Sequence, residues 1–273
     1  MKILYFGGGL GNQIFEYYFY EYMAGMFARD EVYGVYPKGK FREHAGGLEV
    51  DRVFDVSLPP SSLSSASILL LIYFCKKVLG CNALCSLDPC VNNLRAIAYN
   101  AFKTDKVYYE KSKLIDFRKF DLGARNEHVL SDILTSYSVS LHVRRGDYLS
   151  AKYSARLAGI ATEAYYQNAI KIIETYSRKP KFFVFSDDPA WVRAHLRLPN
   201  AVYVDWNVGK DSYKDLFLMT HCRSNIIANS TFSYWGAYLN RRVPIVVYPK
   251  VWIHPPAACP DIFPESWIGV GSC

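Results

Sequence analysis

The chain has 273 residues, a formal net charge of +7 and 51% hydrophobic residues. That length and apolar content exclude a disordered chain and allow one large α/β domain or two smaller ones. The positive balance favours anionic partners, among them nucleic acid, anionic lipid and phosphorylated small molecules, without choosing among them.

The opening residues KILYF read as a short apolar strand, GGGLG as a turn, and NQIFEYYFYEYMAGMF as a helix that is apolar around most of its circumference. This start reads as a β-loop-α unit rather than a signal peptide, and with seven irregularly spaced cysteines a reducing, cytoplasmic setting is expected. Residues 33–60 are mixed, and residues 61–120 are expected to be mainly helical. Within them the run ASILLLIYFC (66–75) is about half the ~20 residues that a spanning helix needs. It is expected to pack as a helix, and with Lys76 and Lys77 behind it leaves room for peripheral contact with a membrane surface. Cys75, Cys81, Cys85 and Cys90 cluster there, but the gaps repeat no CxxC pattern and no histidine falls among them, so free thiols are expected rather than a metal site.

From Tyr137 the pattern becomes regular. Strand SVSLHVR, a helix begun by Thr162 as N-cap, strand KFFVFSD, helix 189–197, strand AVYVD, helix DSYKDLFLMTHC, strand NIIAN, helix TFSYWGAYLN and strand PIVVYP follow in turn. Five strands alternating with four helices imply a parallel, doubly wound sheet. With the N-terminal β-loop-α unit this gives two Rossmann-like halves, residues 1–130 and 131–273.

Ligands of open α/β sheets sit beyond the carboxyl ends of the strands. Three polar clusters fall there: HVRRGD after the first strand of the second half, FSDD after the next, and ANSTFS between the fourth strand and a helix. Arg144 and Arg145 offer forked donors suited to phosphate oxygens. Ser230 and Thr231 would add hydroxyls and backbone N–H groups at the positive end of a helix dipole, with Asn229 beside them on the donor side. Ser186 leads into Asp187 and Asp188, which could accept hydrogen bonds from a base or ribose, and Phe232 could stack on the base. Each motif also has a plainer reading: Arg-Arg-x-Asp as an ion pair, SDDP as a helix start capped by an aspartate, NSTFS as a cap. The N-terminal GGGLGNQ satisfies neither GxGxxG nor a P-loop. Its glycines, Gly11 among them, permit close backbone approach, and Asn12 and Gln13 could present amides to a sugar or phosphate.

In that order GGGLGNQIF, LHVRRGDYL, FVFSDD and IIANSTFSYWGAYL resemble the α-1,2-fucosyltransferases of glycosyltransferase family 11. The resemblance implies a GT-B-like architecture of two facing Rossmann-like domains with parallel sheets. It implies an acceptor side in residues 1–130 and a nucleotide-sugar side in 131–273. It further implies a GDP-fucose donor, a β-galactoside glycan acceptor that a lipid could carry, and inversion at the fucose anomeric carbon with no metal or other cofactor. His142, Arg144 and Arg145 fall on the family's His-x-Arg-Arg motif, whose arginines bind the diphosphate, and Asp147 on its acidic member. Asp187 and Asp188 match its Ser-Asp pattern near the nucleoside, and Ser230, Thr231 and Phe232 its segment around phosphate and base. Asn12 and Gln13 match the loop facing the transferred sugar. Asp147 is a candidate base by position, although pairing with an arginine would make it a poor one. The alternatives are another nucleotide sugar or linkage, a noncatalytic nucleotide-sugar sensor, and an RNA-binding protein, the last disfavoured because the basic residues are scattered.

Overall fold

The computed structural model of the chain describes residues 1–36, 47–62, 64, 66–71, 74, 85–86, 96–100, 104–242, 244–254 and 261–271. It divides into two compact units, Met1–Arg118 with Pro260–Ile262, and Lys119–Cys259 with Phe263–Cys273. The boundary expected at 130/131 instead falls inside a helix, Ala124–Thr135. That helix belongs to the second unit, where Val129 and Ile133 pack with Phe183, Phe185 and Val204. Its three buried positions include the polar Asn126, so its apolar periodicity is thin.

The first unit carries β1 (Lys2–Tyr5), β2 (Val32–Val35), β3 (Cys85–Ser86) and β4 (Ala98–Asn100), ordered β2-β1-β4-β3 with every pairing parallel. The mainly helical reading of 61–120 is corrected by β3 and β4. At two and three residues these strands are too short to show a period of two. The helix Leu10–Met26 follows β1 and buries Leu10, Ile14, Phe15, Phe19 and Met23. Its remaining aromatic faces meet further rings, such as Phe19 against Tyr108 at 4.9 Å and Phe15 against Tyr109 at 5.5 Å. Of the cysteine cluster, Cys75, Cys81 and Cys90 lie outside the described residues.

The second unit holds β5 (Ser138–Val143), β6 (Lys181–Ser186), β7 (Val202–Val204), β8 (Ser224–Ile226), β9 (Ile245–Pro249) and β10 (Ile268–Val270). Their order is β10-β9-β8-β5-β6-β7, again all parallel. The expected alternation is present, with helices Glu163–Tyr176, Pro189–His195, Tyr213–Met219 and Thr231–Tyr238 between the strands. Thr162 caps the first of them by accepting the Tyr165 N–H at 3.2 Å. The sixth strand, β10, is a three-residue edge with no inward alternation of burial, which is why the sequence does not reveal it. Every residue of β5 is buried, because one apolar cluster covers Val139, Leu141 and Val143 and the Phe183 and Phe185 cluster lies on another part of the sheet.

This order fixes where a ligand can bind. From β5 the chain moves outward through β6 to β7, then returns to β8 on the other side of β5 and continues through β9 to β10. The winding direction therefore reverses between β5 and β8, and the crevice beyond their carboxyl ends is the usual binding position of such a sheet. Residues 144–149 and 227–231 border it.

Candidate active site

After Val143 the chain leaves the sheet through Arg144, Arg145 and Gly146 into a single 3-10 turn, Asp147–Leu149. Asp187, just beyond β6, fixes this exit: its Oδ1 accepts the Arg145 N–H at 2.9 Å and its Oδ2 the Gly146 N–H at 3.0 Å. A Cβ on Gly146 would stand 2.8 Å from that Oδ2, so the position has no room for a side chain. The Arg144 Nε donates to Asp147 Oδ1 at 3.0 Å and lies 3.3 Å from Asp187 Oδ2. The Arg145 Nε donates to Asp188 Oδ2 at 3.1 Å, and its guanidinium sits 4.3 Å from the Trp191 ring centroid. Trp191 in turn stacks on His195 at 4.6 Å. Both arginines are thus held by Nε. Among the described residues neither has a hydrogen bond at its terminal Nη nitrogens, and these are the atoms that reach an oxyanion in a forked contact.

Two guanidiniums stand among three carboxylates. Asp187 is balanced by two backbone N–H groups besides Arg144. Asp188 caps the helix Pro189–His195 by accepting the Trp191 N–H at 3.0 Å, and its own N–H donates to Ser186 Oγ at 2.9 Å. The Arg144 guanidinium ends up held more firmly in its charged form: burial opposes the charge, but Asp187 and then Asp147 outweigh it. Asp187 and Asp188, expected to meet a base or ribose, here brace the arginine loop. The ion-pair and helix-start readings of RRGD and SDDP describe them.

On the β8 side, Ser230 stands at the N-cap position of helix Thr231–Tyr238 without bonding its side chain to the first-turn N–H groups. The Asn229 amide is structural, donating to the carbonyls of Leu157 at 3.2 Å and Trp252 at 3.3 Å. The backbone carbonyl of Asn229 accepts the Tyr148 hydroxyl at 2.9 Å, so Tyr148 ties the arginine loop to the β8 loop. Burial pushes the Tyr148 phenol up to about 12. Tyr165 donates to the carbonyl of Ile227 at 2.6 Å, and Tyr166 to that of His142 at 3.0 Å, securing both edges from below. The His142 ring is 5.9 Å from Phe232. Burial, and secondarily Arg144, pulls its imidazole down to about 3, so it is neutral at physiological pH. Its Nδ1 is buried and has no hydrogen bond among the described residues.

In the first unit the glycine loop is organised by the helix Leu10–Met26. Gly8 has φ +74°, and a Cβ there would lie 2.5 Å from Asn12 Nδ2, so the loop requires glycine and the Asn12 amide lies against it. Gln13, expected at the donor site, braces the loop. Its Nε2 donates to the carbonyls of Gly8 at 3.0 Å and Gly47 at 2.7 Å, and its Oε1 accepts the N–H groups of Glu49 at 2.7 Å and Val50 at 3.1 Å. Glu16, buried one turn on, accepts the Gly7 N–H at 3.0 Å through both oxygens. Gly11 is buried in the first turn of that helix.

Within the second unit the structure brings together the expected His142, Arg144, Arg145, Asp147, Asp187, Asp188, Ser230 and Phe232. Sequence reasoning missed Tyr148 and Trp191. Tyr148 follows the RRGD motif directly and Trp191 stands one helical turn beyond Asp188, but aromatic residues in those places read as core without the contacts.

A family model described as glycosyl transferase family 11 matches residues 101–271. The chain is 41% identical over 117 residues to the O-antigen biosynthesis glycosyltransferase WbnK of Escherichia coli, covering 42% of this chain and 39% of that one. It is 27% identical over 284 residues to an alpha-1,2-colitosyltransferase of Escherichia coli, covering 96% of each. Galactoside alpha-(1,2)-fucosyltransferase 2 of Rattus norvegicus is 29% identical over 143 residues, covering 48% of this chain and 39% of that enzyme. The aligned stretch therefore spans well under half the length of the first and third relatives.

Proposed function

The chain belongs to glycosyl transferase family 11, and from that premise we propose that it transfers L-fucose from GDP-fucose to the 2-hydroxyl of a galactoside in a glycan, with inversion and without a metal ion. The observation that carries this reading is the pair of arginines at the β5/β8 crevice, each fixed through Nε with its terminal nitrogens left for an oxyanion.

In such a transfer the bond from the fucose anomeric carbon to the β-phosphate oxygen is largely broken before the acceptor oxygen bonds. Negative charge then collects on the departing GDP, and stabilising it is the main catalytic task. A guanidinium about 4 Å from that charge, at an effective dielectric near 20, contributes on the order of 4 kcal/mol before desolvation is subtracted. Two such groups, aided by the N-terminus of helix Thr231–Tyr238, can take the part that a divalent cation plays elsewhere. The three nearby carboxylates support a metal-free site, since each is already engaged by an arginine or backbone N–H. Asp147 belongs to this scaffold: its Oδ1 is bound by Arg144, so its role is to hold the arginine rather than to take the acceptor's proton. Asn12 is assigned to orienting the transferred sugar.

A second reading, with a colitosyl donor in place of the fucosyl one, has support from the relative of that name that matches nearly the whole chain. Incubation in EDTA with GDP-fucose, a colitosyl donor, GDP-mannose or UDP-galactose, each with a panel of β-galactosides and followed by linkage analysis, separates these. An α-1,2-fucosylated product from GDP-fucose is expected. Transfer from UDP-galactose, or a different linkage, would overturn the proposal.

A further inference from the structure

Residues 66–71 and 74 lie in helical conformation in the first unit. One side of this helix covers the sheet: Leu69 is buried with Ile3 of β1 and Ala98 of β4, and Ile68 packs on the same cluster. At 100° per residue, Ser67, Leu70, Leu71 and Phe74 share the opposite side. Leu70 is 70% exposed, Leu71 60% and Phe74 61%. A helix that is apolar on all sides normally has all its sides covered. Here the sheet covers only one.

The flanking sequence indicates what covers the other. Between Asp55 and Asp88 the only charged residues are Lys76 and Lys77, directly after the exposed apolar residues. Apolar side chains followed in sequence by two lysines, with no carboxylate between Asp55 and Asp88, match the interface of an anionic lipid layer, which accepts the apolar groups and attracts the cations. A second copy of the chain fits less well, because three side chains at this exposure can bury roughly 350 Å² against about 800 Å² per partner in a stable dimer. No helix among the described residues is long and apolar enough to cross a membrane, so this contact would be peripheral. We infer that Leu70, Leu71 and Phe74 dock the first unit onto the surface of an anionic membrane.

The test is sedimentation of the full chain with phosphatidylcholine vesicles containing or lacking about 30% phosphatidylglycerol. Binding to the anionic vesicles is expected, weakened by salt and by Lys76→Glu with Lys77→Glu. Leu71→Ser with Phe74→Ser is expected to lower the partition coefficient at least about tenfold, each buried apolar side chain contributing roughly that factor. Because these side chains face outward, the variant should melt at the wild-type temperature, and Leu70→Ser provides an independent second probe. Absence of wild-type binding, or equal binding by the wild type and the serine variants, would overturn the inference. So would a concentration-dependent dimer, without vesicle binding, that the serine variants abolish.

Discussion

Arg144 and Arg145 look in the sequence like an awkward concentration of charge, and their bonding resolves it. Arg144 Nε lies between Asp147 and Asp187 and Arg145 Nε bonds Asp188, with Asp187 and Asp188 themselves anchored to backbone N–H groups, which positions the fork before any substrate arrives. Lysine at either position would keep the charge and lose both the tether and the fork. Arg145→Lys should therefore retain only a small part of wild-type turnover, measured as kcat/KM for GDP-fucose. A different residue governs stability. Asp215 is buried with Asn207 Nδ2 donating to it at 2.7 Å, and burial raises its carboxyl to about 8. Its folded value lies above the unfolded one, so stability is fully present below about pH 4 and declines as pH rises towards 8. Asp215→Asn removes that titration. The variant's melting temperature relative to wild type should rise by at least about 3 °C between pH 5 and pH 8, whereas a constant difference across that range would refute the assignment.

At the scale of elements, the site depends on two loops of one sheet being locked together. Asp187 grips the backbone of the β5 exit, and Tyr148 joins that exit to the β8 loop. Gly146→Ala places a methyl against the Asp187 carboxylate and should lower kcat at least about tenfold with little change in melting temperature. Tyr148→Phe removes one hydrogen bond and leaves the Asn229 carbonyl unpartnered by it. A loss of roughly 1–2 kcal/mol in unfolding free energy is expected, measured by urea denaturation. This layer was readable in part. Strands β5, β6 and β9 and the helix after Thr162 announce themselves by length, apolar runs and caps. β3, β4 and β10, at two or three residues, owe their existence to neighbours in the sheet rather than to local pattern. The same distinction holds in the site: Arg144 and Arg145 could be found from their place at a strand end, while the bracing roles of Gln13, Asp187 and Asp188 depend on contacts 34 to 43 residues away in the chain.

For the whole molecule, two parallel α/β units agree with the expected GT-B-like plan, and the second displays a six-stranded doubly wound order with a crevice at its reversal point. The family match covers residues 101–271, which takes in all of that crevice. The proposal thus places the demanding chemistry in the second unit and assigns the acceptor to the first, whose sequence is less patterned and whose Gly8 loop is braced by Gln13. Its central claim is that guanidiniums, not a cation, carry the charge of the leaving group. The most direct measurement is turnover of GDP-fucose with a β-galactoside acceptor in EDTA for the wild type, Arg144→Ala and Arg145→Ala, with folding checked by melting temperature. The account predicts undiminished wild-type turnover in EDTA and a loss of about 100-fold or more in each folded variant. Wild-type turnover abolished by EDTA and restored by a divalent cation, or near-normal turnover in both alanine variants, would contradict it.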